Sequence, residues 1–201
     1  MATIKPVALV IGASRGIGRQ IAIDLAKDGY AVVVSAKTTS DASKTTPFPP
    51  DPNSPQSTIN TVEREIREAG GEAIALAVDT RDVDAIKRLV KQTVDTYGKL
   101  DVLVYNSGAI WWSSVENTPV KRFQLMQQVN PEGLYASVQA ALPYFGKNGW
   151  KGRIVVVSPP IYSRFFRGKT AYAMGKLYLL LALRALSCWV GPRERRGSDE
   201  D

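Results

Sequence analysis

The stretch Gly12-Ala13-Ser14-Arg15-Gly16-Ile17-Gly18 follows directly on the apolar run Val7–Ile11 and leads into a helical pattern. Glycine lets the backbone turn sharply and approach a ligand with no Cβ in the way. The free N–H groups and the dipole of a helix that begins near Arg15 favour an anion. A strand, a glycine turn and a helix N-terminus in this order predict a cradle for the pyrophosphate of a dinucleotide. The alternative is an ordinary tight turn.

Apolar, β-branched runs alternate with helical periods along the chain, which predicts parallel βαβ units. Predicted strands are Val7–Ile11, Ala31–Ser35, Ala73–Val78, Leu100–Asn106 and Arg153–Val157. Predicted helices are Ile17–Lys27, Thr58–Ala69, Val83–Tyr97, Pro119–Phe145 and Ala171–Cys188. Pro131 and Pro143 should kink the fourth helix or end it early. The fold class is therefore α/β, a Rossmann-type doubly wound parallel sheet with helices on both faces in three αβα layers.

We expect one dinucleotide-binding domain over residues 1–188 and a disordered polar tail over residues 189–201. Residues 38–56 form a long Pro-rich connection after the second predicted strand, with polyproline-like stiffness and without helix or strand. This connection lies where the adenosine end of a dinucleotide would bind. We favour a surface insertion over a recognition loop for this segment.

The composition limits the chemistry available to this chain. It has 201 residues and no histidine, so acid–base chemistry must use Tyr, Lys or carboxylates, and we expect no metal site. The single cysteine, Cys188, excludes an internal disulfide and suits a reducing compartment. The basic residues that give the formal charge of +7 are scattered, which does not favour nucleic acid as a partner.

No targeting segment precedes the first predicted strand, so the expected location is cytoplasmic. The Leu-rich run after Lys176 is too short to span a bilayer and contains Arg184. We therefore expect no membrane span, and interpret the run as a buried or dimer-forming helix.

Ligands of open parallel sheets bind outside the carboxyl ends of the strands. NAD-specific folds place an acidic residue after the second strand, where this chain has Lys37. Together with Arg15, Lys37 predicts binding of a 2′-phosphate and hence of NADP(H); a solvated loop lysine is the alternative. Asp79 ends the third strand, and either accepts a hydrogen bond from adenine or caps the next helix by way of Arg81-Asp82.

Tyr172 and Lys176 lie four residues apart, so a helix places both on one face. A buried ammonium beside a phenol lowers the pKa of the phenol from about 10. Tyr172 could then exchange a proton with a carbonyl or an alcohol near neutral pH. The alternative is a half-buried tyrosine with an exposed lysine.

From about Val7 to Lys176 these motifs together resemble the short-chain dehydrogenase/reductase family. Gly12–Gly18 is similar to its Thr-Gly-x-x-x-Gly-x-Gly turn, with Ile11 in place of threonine, and Tyr105-Asn106-Ser107-Gly108 is similar to its Asn-Asn-Ala-Gly element. Val129-Asn130 resembles the helix asparagine of the proton relay, and Tyr172 and Lys176 match the catalytic pair. Ala-Lys-Thr, Thr-Pro-x-Lys-Arg and Ser-Pro-Pro segments resemble the hydroxysteroid-dehydrogenase-like subgroup.

The resemblance implies an NADP(H)-dependent enzyme that acts on a small carbonyl or alcohol. Tyr172 would protonate the carbonyl oxygen as hydride arrives from NADPH, Lys176 would bind the nicotinamide ribose, and Asn130 with water would resupply the proton. The cofactor would contact residues 12–18, Lys37, Asp79, Asn106, Tyr172 and Lys176. The resemblance also implies a homo-oligomer through the long helices, and the subgroup adds peroxisome and mitochondrion as alternative locations.

Two departures from the family pattern stand out. Pro159 occupies the place of the catalytic serine, thirteen residues before Tyr172, and Ser158 or Ser163 would have to substitute. Loss of such a polarising donor costs about 10²–10³ in rate. After Lys176 the Leu-rich run and polar tail replace the family's last strands, as in a truncated product. The second hypothesis is therefore an impaired remnant that binds dinucleotide or a full-length relative without turnover.

Overall fold

A computed structural model describes residues 5–160 and 163–177 of the chain. Strands and helices alternate over this part, with bounds that differ from the predicted ones by at most two residues, except within the fourth helix. The elements are β1 (Val7–Ile11), α1 (Gly16–Lys27), β2 (Ala31–Ala36), α2 (Ile59–Glu68), β3 (Glu72–Ala77), α3 (Val83–Tyr97), β4 (Val102–Tyr105), α4 (Val120–Gln127), α5 (Gly133–Lys147), β5 (Arg153–Val156) and α6 (170–177).

The five strands of the described part form one parallel sheet in the order β3-β2-β1-β4-β5. The chain leaves β1 in one direction to build β2 and β3, and then returns to place β4 on the other side of β1. The reversal puts the carboxyl ends of β1 and β4 side by side, which is where open sheets of this kind bind ligands. The predicted α/β Rossmann-type fold is confirmed.

Alternation of side chains along the strands divides the core between the two faces of the sheet. On one face, Leu9 and Ile11 of β1 lie in a buried cluster with residues of α3 and α5. On the other face, Ala8 and Val10 lie in a second cluster with residues of α1 and α2. Every residue of β1, β2 and β4 is buried, as expected for central strands covered by helices on both sides.

The predicted long helix Pro119–Phe145 is interrupted where Pro131 stands. A π-helical turn, Gln128–Glu132, joins α4 to α5 and contains Pro131, which has no N–H to donate. Pro143 lies inside α5, which continues to Lys147, so the alternative of an early end at Pro143 is wrong. The π turn carries Asn130, which is fully buried.

The Pro-rich connection contains one short 3₁₀ turn, Ala42–Lys44, and otherwise no helix or strand up to α2. Within the described residues no helix is long and apolar enough to cross a bilayer, and no group of acidic or cysteine side chains could hold a metal ion. The predictions for the rest of the helix to Cys188, for Arg184 and for the tail 189–201 fall outside the described residues.

Candidate active site

The glycine turn between β1 and α1 is packed against the segment that follows β4. Gly12 has a φ of +89°, and a Cβ built on it would lie 2.5 Å from Ser107 N. A Cβ on Gly18 would collide with the Gly12 carbonyl oxygen and lie 2.5 Å from Asn106 Nδ2. Both positions therefore require glycine, because a side chain would push the turn away from the end of β4.

Asn106 fixes this turn from the β4 side. Its Nδ2 donates to the Gly12 carbonyl oxygen at 2.8 Å, and its backbone N–H donates to Ile11 O at 2.8 Å. We predicted a contact between Asn106 and the cofactor. The side-chain amide holds the shape of the glycine turn, and the contact with the cofactor stays a prediction.

The N-terminus of α1 presents hydrogen-bond donors at the carboxyl edge of the sheet. The N–H groups of Gly12 and Ala13 donate to Ser35 O, and that of Gly16 donates to Pro52 O at 2.9 Å. The N–H groups of Ile17 and Gly18 have no acceptor among the described residues. Two free donors at a helix N-terminus, in a glycine turn at the carboxyl edge of the sheet, fit the phosphates of a dinucleotide.

Cationic side chains lie at the ends of β2 and β3. Lys37 Nζ lies 3.1 Å from Asp79 Oδ2, and Arg81 binds the same carboxylate. The Arg81 guanidinium, with Lys37 contributing less, holds the pKa of Asp79 well below its usual range. Arg15 Nη2 donates to Thr38 Oγ1 at 3.5 Å, so Arg15 also reaches the end of β2.

Asp79 is not the cap of α3. That helix begins after Asp82, whose side chain accepts a hydrogen bond from Ala85 N at 2.9 Å. Asp79 accepts instead from the Arg81 N–H at 3.1 Å and pairs with two cations. The helix-capping interpretation of Asp79 is therefore corrected.

Most of residues 38–56 are exposed or half-buried, and this Pro-rich connection also packs against the glycine turn. Ser57 Oγ donates to Ser14 O at 2.7 Å, and Pro52 O accepts from Gly16 N. Ser57 and Thr58, which follow this segment and lead into α2, are buried. The connection is therefore packed against one side of the glycine turn.

Asn130 joins the π turn to the loop after β4. Its Oδ1 accepts from Ala109 N at 2.8 Å, and its Nδ2 donates to Ala109 O at 3.1 Å. A Cβ built on Gly175 would lie 3.2 Å from Asn130 Nδ2, so α6 packs closely on the same side chain. With both amide atoms bonded to the backbone, Asn130 fixes the loop on which a substrate would rest.

Tyr172 and Lys176 are both buried, at 6% and 5% exposure, on one face of α6. A Cβ on Gly108 would lie 3.1 Å from Lys176 Nζ and 3.5 Å from Asn130 Oδ1. Lys176, Asn130 and the loop after β4 therefore meet at one point. The alternative of a half-buried tyrosine with an exposed lysine is wrong.

The expected lowering of the Tyr172 pKa is not found. Burial raises the pKa of the Tyr172 phenol and lowers the pKa of the Lys176 ammonium. Desolvation disfavours the charged form of each group and is the cause of both shifts. Tyr172 is therefore a protonated donor at neutral pH, the state required to protonate a carbonyl oxygen.

Ser158 follows β5, whose pairing with β4 continues through a hydrogen bond from Val157 N to Tyr105 O at 3.0 Å. Its Oγ makes one hydrogen bond within the described residues, to the neighbouring Pro159 O at 3.4 Å. The structure thus brings Lys176 and Asn130 together, with Tyr172 buried one turn earlier on α6, and no hydrogen bond in the described part connects Ser158 to them. The side chain of Ser163, the other candidate, lies outside the described part.

Tyr105 has a structural role that the sequence analysis did not predict. Its buried hydroxyl donates to Val129 O, directly before Asn130, and burial raises its pKa far above the usual value. Tyr105 therefore ties the end of β4 to the π turn. The available signal was a large aromatic residue at the end of a central strand, where the family element Asn-Asn-Ala-Gly has its first asparagine.

Comparison with known proteins agrees with this geometry. Residues 6–47 and 53–193 match the family model described as short chain dehydrogenase. The chain belongs to the short-chain dehydrogenase family. Members of this family are oxidoreductases that use nicotinamide cofactors. The match continues to residue 193, past Lys176, where sequence reasoning placed the departure from the family.

Curated relatives of this short-chain dehydrogenase confirm the subgroup. Hydroxysteroid dehydrogenase-like protein 2 of Mus musculus is 38% identical over 169 residues, which are 83% of this chain and 32% of that protein. The protein of the same name from Danio rerio is 35% identical over 191 residues, 94% of this chain and 42% of the relative. The chain thus spans less than half the length of these relatives.

Solved structures share the fold. A putative dehydrogenase from Xanthomonas campestris is 35% identical with a TM-score of 0.79, and the match covers 93% of this chain and 67% of that one. A variant of actinorhodin polyketide ketoreductase, solved with NADPH, is 28% identical with a TM-score of 0.77, and the match covers 94% of this chain and 67% of that one.

Proposed function

We propose that this short-chain dehydrogenase transfers a hydride between NADP(H) and a carbonyl or secondary alcohol. The observation that carries the proposal is the meeting of buried Lys176 with Asn130 beside the loop after β4, with Tyr172 one turn earlier on the same helix. The free N–H groups of Ile17 and Gly18 lie at the same edge of the sheet. A dinucleotide held there would run from the cationic end of β2 toward Tyr172.

The bound nicotinamide would supply or accept the hydride. The other steps belong to side chains of the chain itself. Tyr172 donates its phenolic proton to the carbonyl oxygen as negative charge develops there, and burial keeps that proton in place until then. Lys176 binds the ribose hydroxyls and stabilises the phenolate that forms, while Asn130 holds the loop at Ala109 in a fixed position.

Preference for the 2′-phosphorylated cofactor rests on Arg15 and Lys37, which lie at the end of β2. Asp79 holds Lys37 in this place, and the Lys37 side chain remains 68% exposed and able to reach a phosphate. A carboxylate that would bind a ribose 2′-hydroxyl is not found at the end of β2 itself. The related ketoreductase was solved with NADPH.

The first experiment is a titration of the chain with NADPH and then NADH, followed by energy transfer from tryptophan. We expect saturable binding that favours NADPH, with Lys37→Ala reducing that preference. Turnover is then measured as NADPH oxidation with a panel of ketones and aldehydes. Equal or tighter binding of NADH would contradict the cofactor assignment.

The decisive variant is Tyr172→Phe. It should lower kcat/KM by about 10²–10⁴ because it removes the proton donor, while NADPH binding stays unchanged. Tyr135→Phe, at a tyrosine that is 69% exposed on α5, is the matched control and should leave turnover intact. Full activity of Tyr172→Phe would exclude the proposed role.

One observation favours the second candidate function, an impaired protein that binds dinucleotide or a full-length relative without turnover. The hydrogen bond of the Ser158 hydroxyl within the described residues goes to its neighbour Pro159, and Pro159 itself occupies the place of the family's catalytic serine. NADPH binding without oxidation by any substrate in the panel would support this candidate. If turnover is found, an unchanged rate in Ser158→Ala would show that Ser158 is not the polarising donor.

A further inference from the structure

The Pro-rich connection of residues 38–56 and the two residues that follow it, together called the strap (residues 38–58), contact three successive residues of the glycine turn. Ser57 Oγ donates to Ser14 O at 2.7 Å, Thr38 Oγ1 accepts from Arg15 Nη2 at 3.5 Å, and Pro52 O accepts from Gly16 N at 2.9 Å. The two ends of the strap are closed on each other by a hydrogen bond from Ile59 N to Thr38 O at 3.2 Å. The strap is therefore anchored at its base and at the turn.

The contacts of the glycine turn differ along its length. Gly12 and Ala13 bond Ser35 O of β2, and the middle residues Ser14, Arg15 and Gly16 are held by the strap. The N–H groups of Ile17 and Gly18 stay without an acceptor in the described part of the chain. The strap thus leaves the N–H groups of Ile17 and Gly18 accessible to a pyrophosphate. It does not block the anion site.

The tip of the strap has its own local structure. Asp51 Oδ1 accepts from Asn53 N at 2.8 Å and Asp51 O accepts from Ser54 N at 3.0 Å, which forms a tight turn with Pro52 inside it. This turn directs the Pro52 carbonyl at Gly16. Residues 48–52 fall outside the match to the family model, so the contact is a feature of this chain beyond the matched pattern.

We propose that the strap positions the adenosine half of the cofactor site, holding the backbone of Ser14–Gly16 and the side chain of Arg15 for a 2′-phosphate. The proposal rests on the NADP(H) binding proposed above. Arg15 has many rotamers, and a contact that restricts them before binding reduces the entropy lost on binding. Loosening the strap should therefore weaken binding of the phosphorylated adenosine without changing chemistry at Tyr172.

The test uses two variants that act on different anchors. Ser57→Ala removes the hydroxyl that bonds Ser14, and Asp51→Ala loosens the turn that presents Pro52 while touching no residue of the glycine turn. Ser43→Ala removes an exposed strap hydroxyl that bonds only Asp41 in the described structure, and is the matched control. Thermal unfolding of all variants checks that they fold.

Binding of 2′,5′-ADP, the adenosine fragment of NADP, is measured by calorimetry together with binding of NADPH. We expect Ser57→Ala and Asp51→Ala to weaken both ligands by about fivefold, the effect of losing one hydrogen bond, with Ser43→Ala unchanged. The rate at saturating NADPH should stay the same in all variants. Faster hydrogen exchange at the Gly16 amide should accompany the weaker binding.

The outcomes separate this inference from the proposed function. Unchanged affinity in both strap variants would overturn the inference and leave NADP(H) binding by the parent chain intact. Tighter binding would also overturn it, because the strap would then obstruct the site. Failure of the parent chain to bind NADPH or 2′,5′-ADP would overturn the proposed function, and with it the positioning role.

Discussion

The ammonium group of Lys176 is buried at the point where the loop after β4, the π turn and α6 meet. No carboxylate of the described residues forms an ion pair with it. Burial without a countercharge lowers the pKa of Lys176 and costs stability whenever the group is protonated. The residue is therefore retained at an energetic cost, which is common for residues of an active site.

This cost predicts the effect of Lys176→Met on the cofactor-free protein. The folded-state pKa of Lys176 is lower than the unfolded one, so the unfolded state binds the proton more tightly and protonation favours unfolding. The variant should be more stable than the parent at pH 7. The difference should shrink as the pH rises through the folded pKa toward 10.5, because the parent then loses the buried charge.

Urea unfolding at several pH values between 7 and about 10 measures this difference. Lys121→Met, at an exposed lysine of α4, is the control and should show no comparable pH-dependent gain. The same Lys176→Met variant should lose NADPH turnover. A variant that is less stable than the parent at pH 7 would mean that a favourable interaction of the ammonium outweighs its desolvation.

The start of α5 lies against the end of β4 so closely that only glycine fits. A Cβ on Gly133 would collide with the Tyr105 hydroxyl and lie 3.0 Å from Thr80 O. Tyr105 in turn bonds Val129 O in the π turn. The position of Asn130 thus depends on the close approach of α5, the π turn and β4.

We expect Gly133→Ala to destabilise the fold by about 1–3 kcal/mol, since the methyl group forces Tyr105 or α5 to move. Gly146→Ala, near the end of the same helix, is the control: its Cβ would lie 3.4 Å from the Trp150 ring, and alanine has the higher helix propensity. The double variant Gly133→Ala with Tyr105→Phe should recover part of the loss, because the colliding oxygen is gone. Chemical denaturation measures all three.

The elements that could be predicted from the sequence are those in which apolar residues recur with the local period of a strand or a helix. β1 and α3 have the predicted bounds, and the fourth helix is interrupted at the predicted Pro131, by a π turn that the sequence analysis did not name. Individual site residues could be proposed from the sequence where the spacing of glycines, or of residues along a helix, points to them, as for Gly12 and Lys176. The strap contacts were not predicted, because the Pro52 carbonyl that binds Gly16 leaves no side-chain signal.

For the molecule as a whole, the stability lost when a strand side chain is truncated should depend on whether its strand lies at the centre or at the edge of the sheet. β1 lies between β2 and β4 and is buried throughout, whereas β5 is an edge strand of the described sheet. Val155 of β5 is 46% exposed, and Val33 of β2 is fully buried in the cluster that contains Leu9 and Ile11. Two valines of one sheet therefore occupy different environments, one in the core and one partly in water.

Val33→Ala should lower the free energy of unfolding by about 2–3 kcal/mol, since two methyl groups are removed from a closed core and a cavity remains. Val155→Ala should cost less than about 1 kcal/mol, because its side chain already contacts water in the folded state. Urea unfolding with an unchanged m-value compares the two variants. Equal losses would show that the exposed face of β5 is covered in solution, and the difference between centre and edge would then not govern the stability of this sheet.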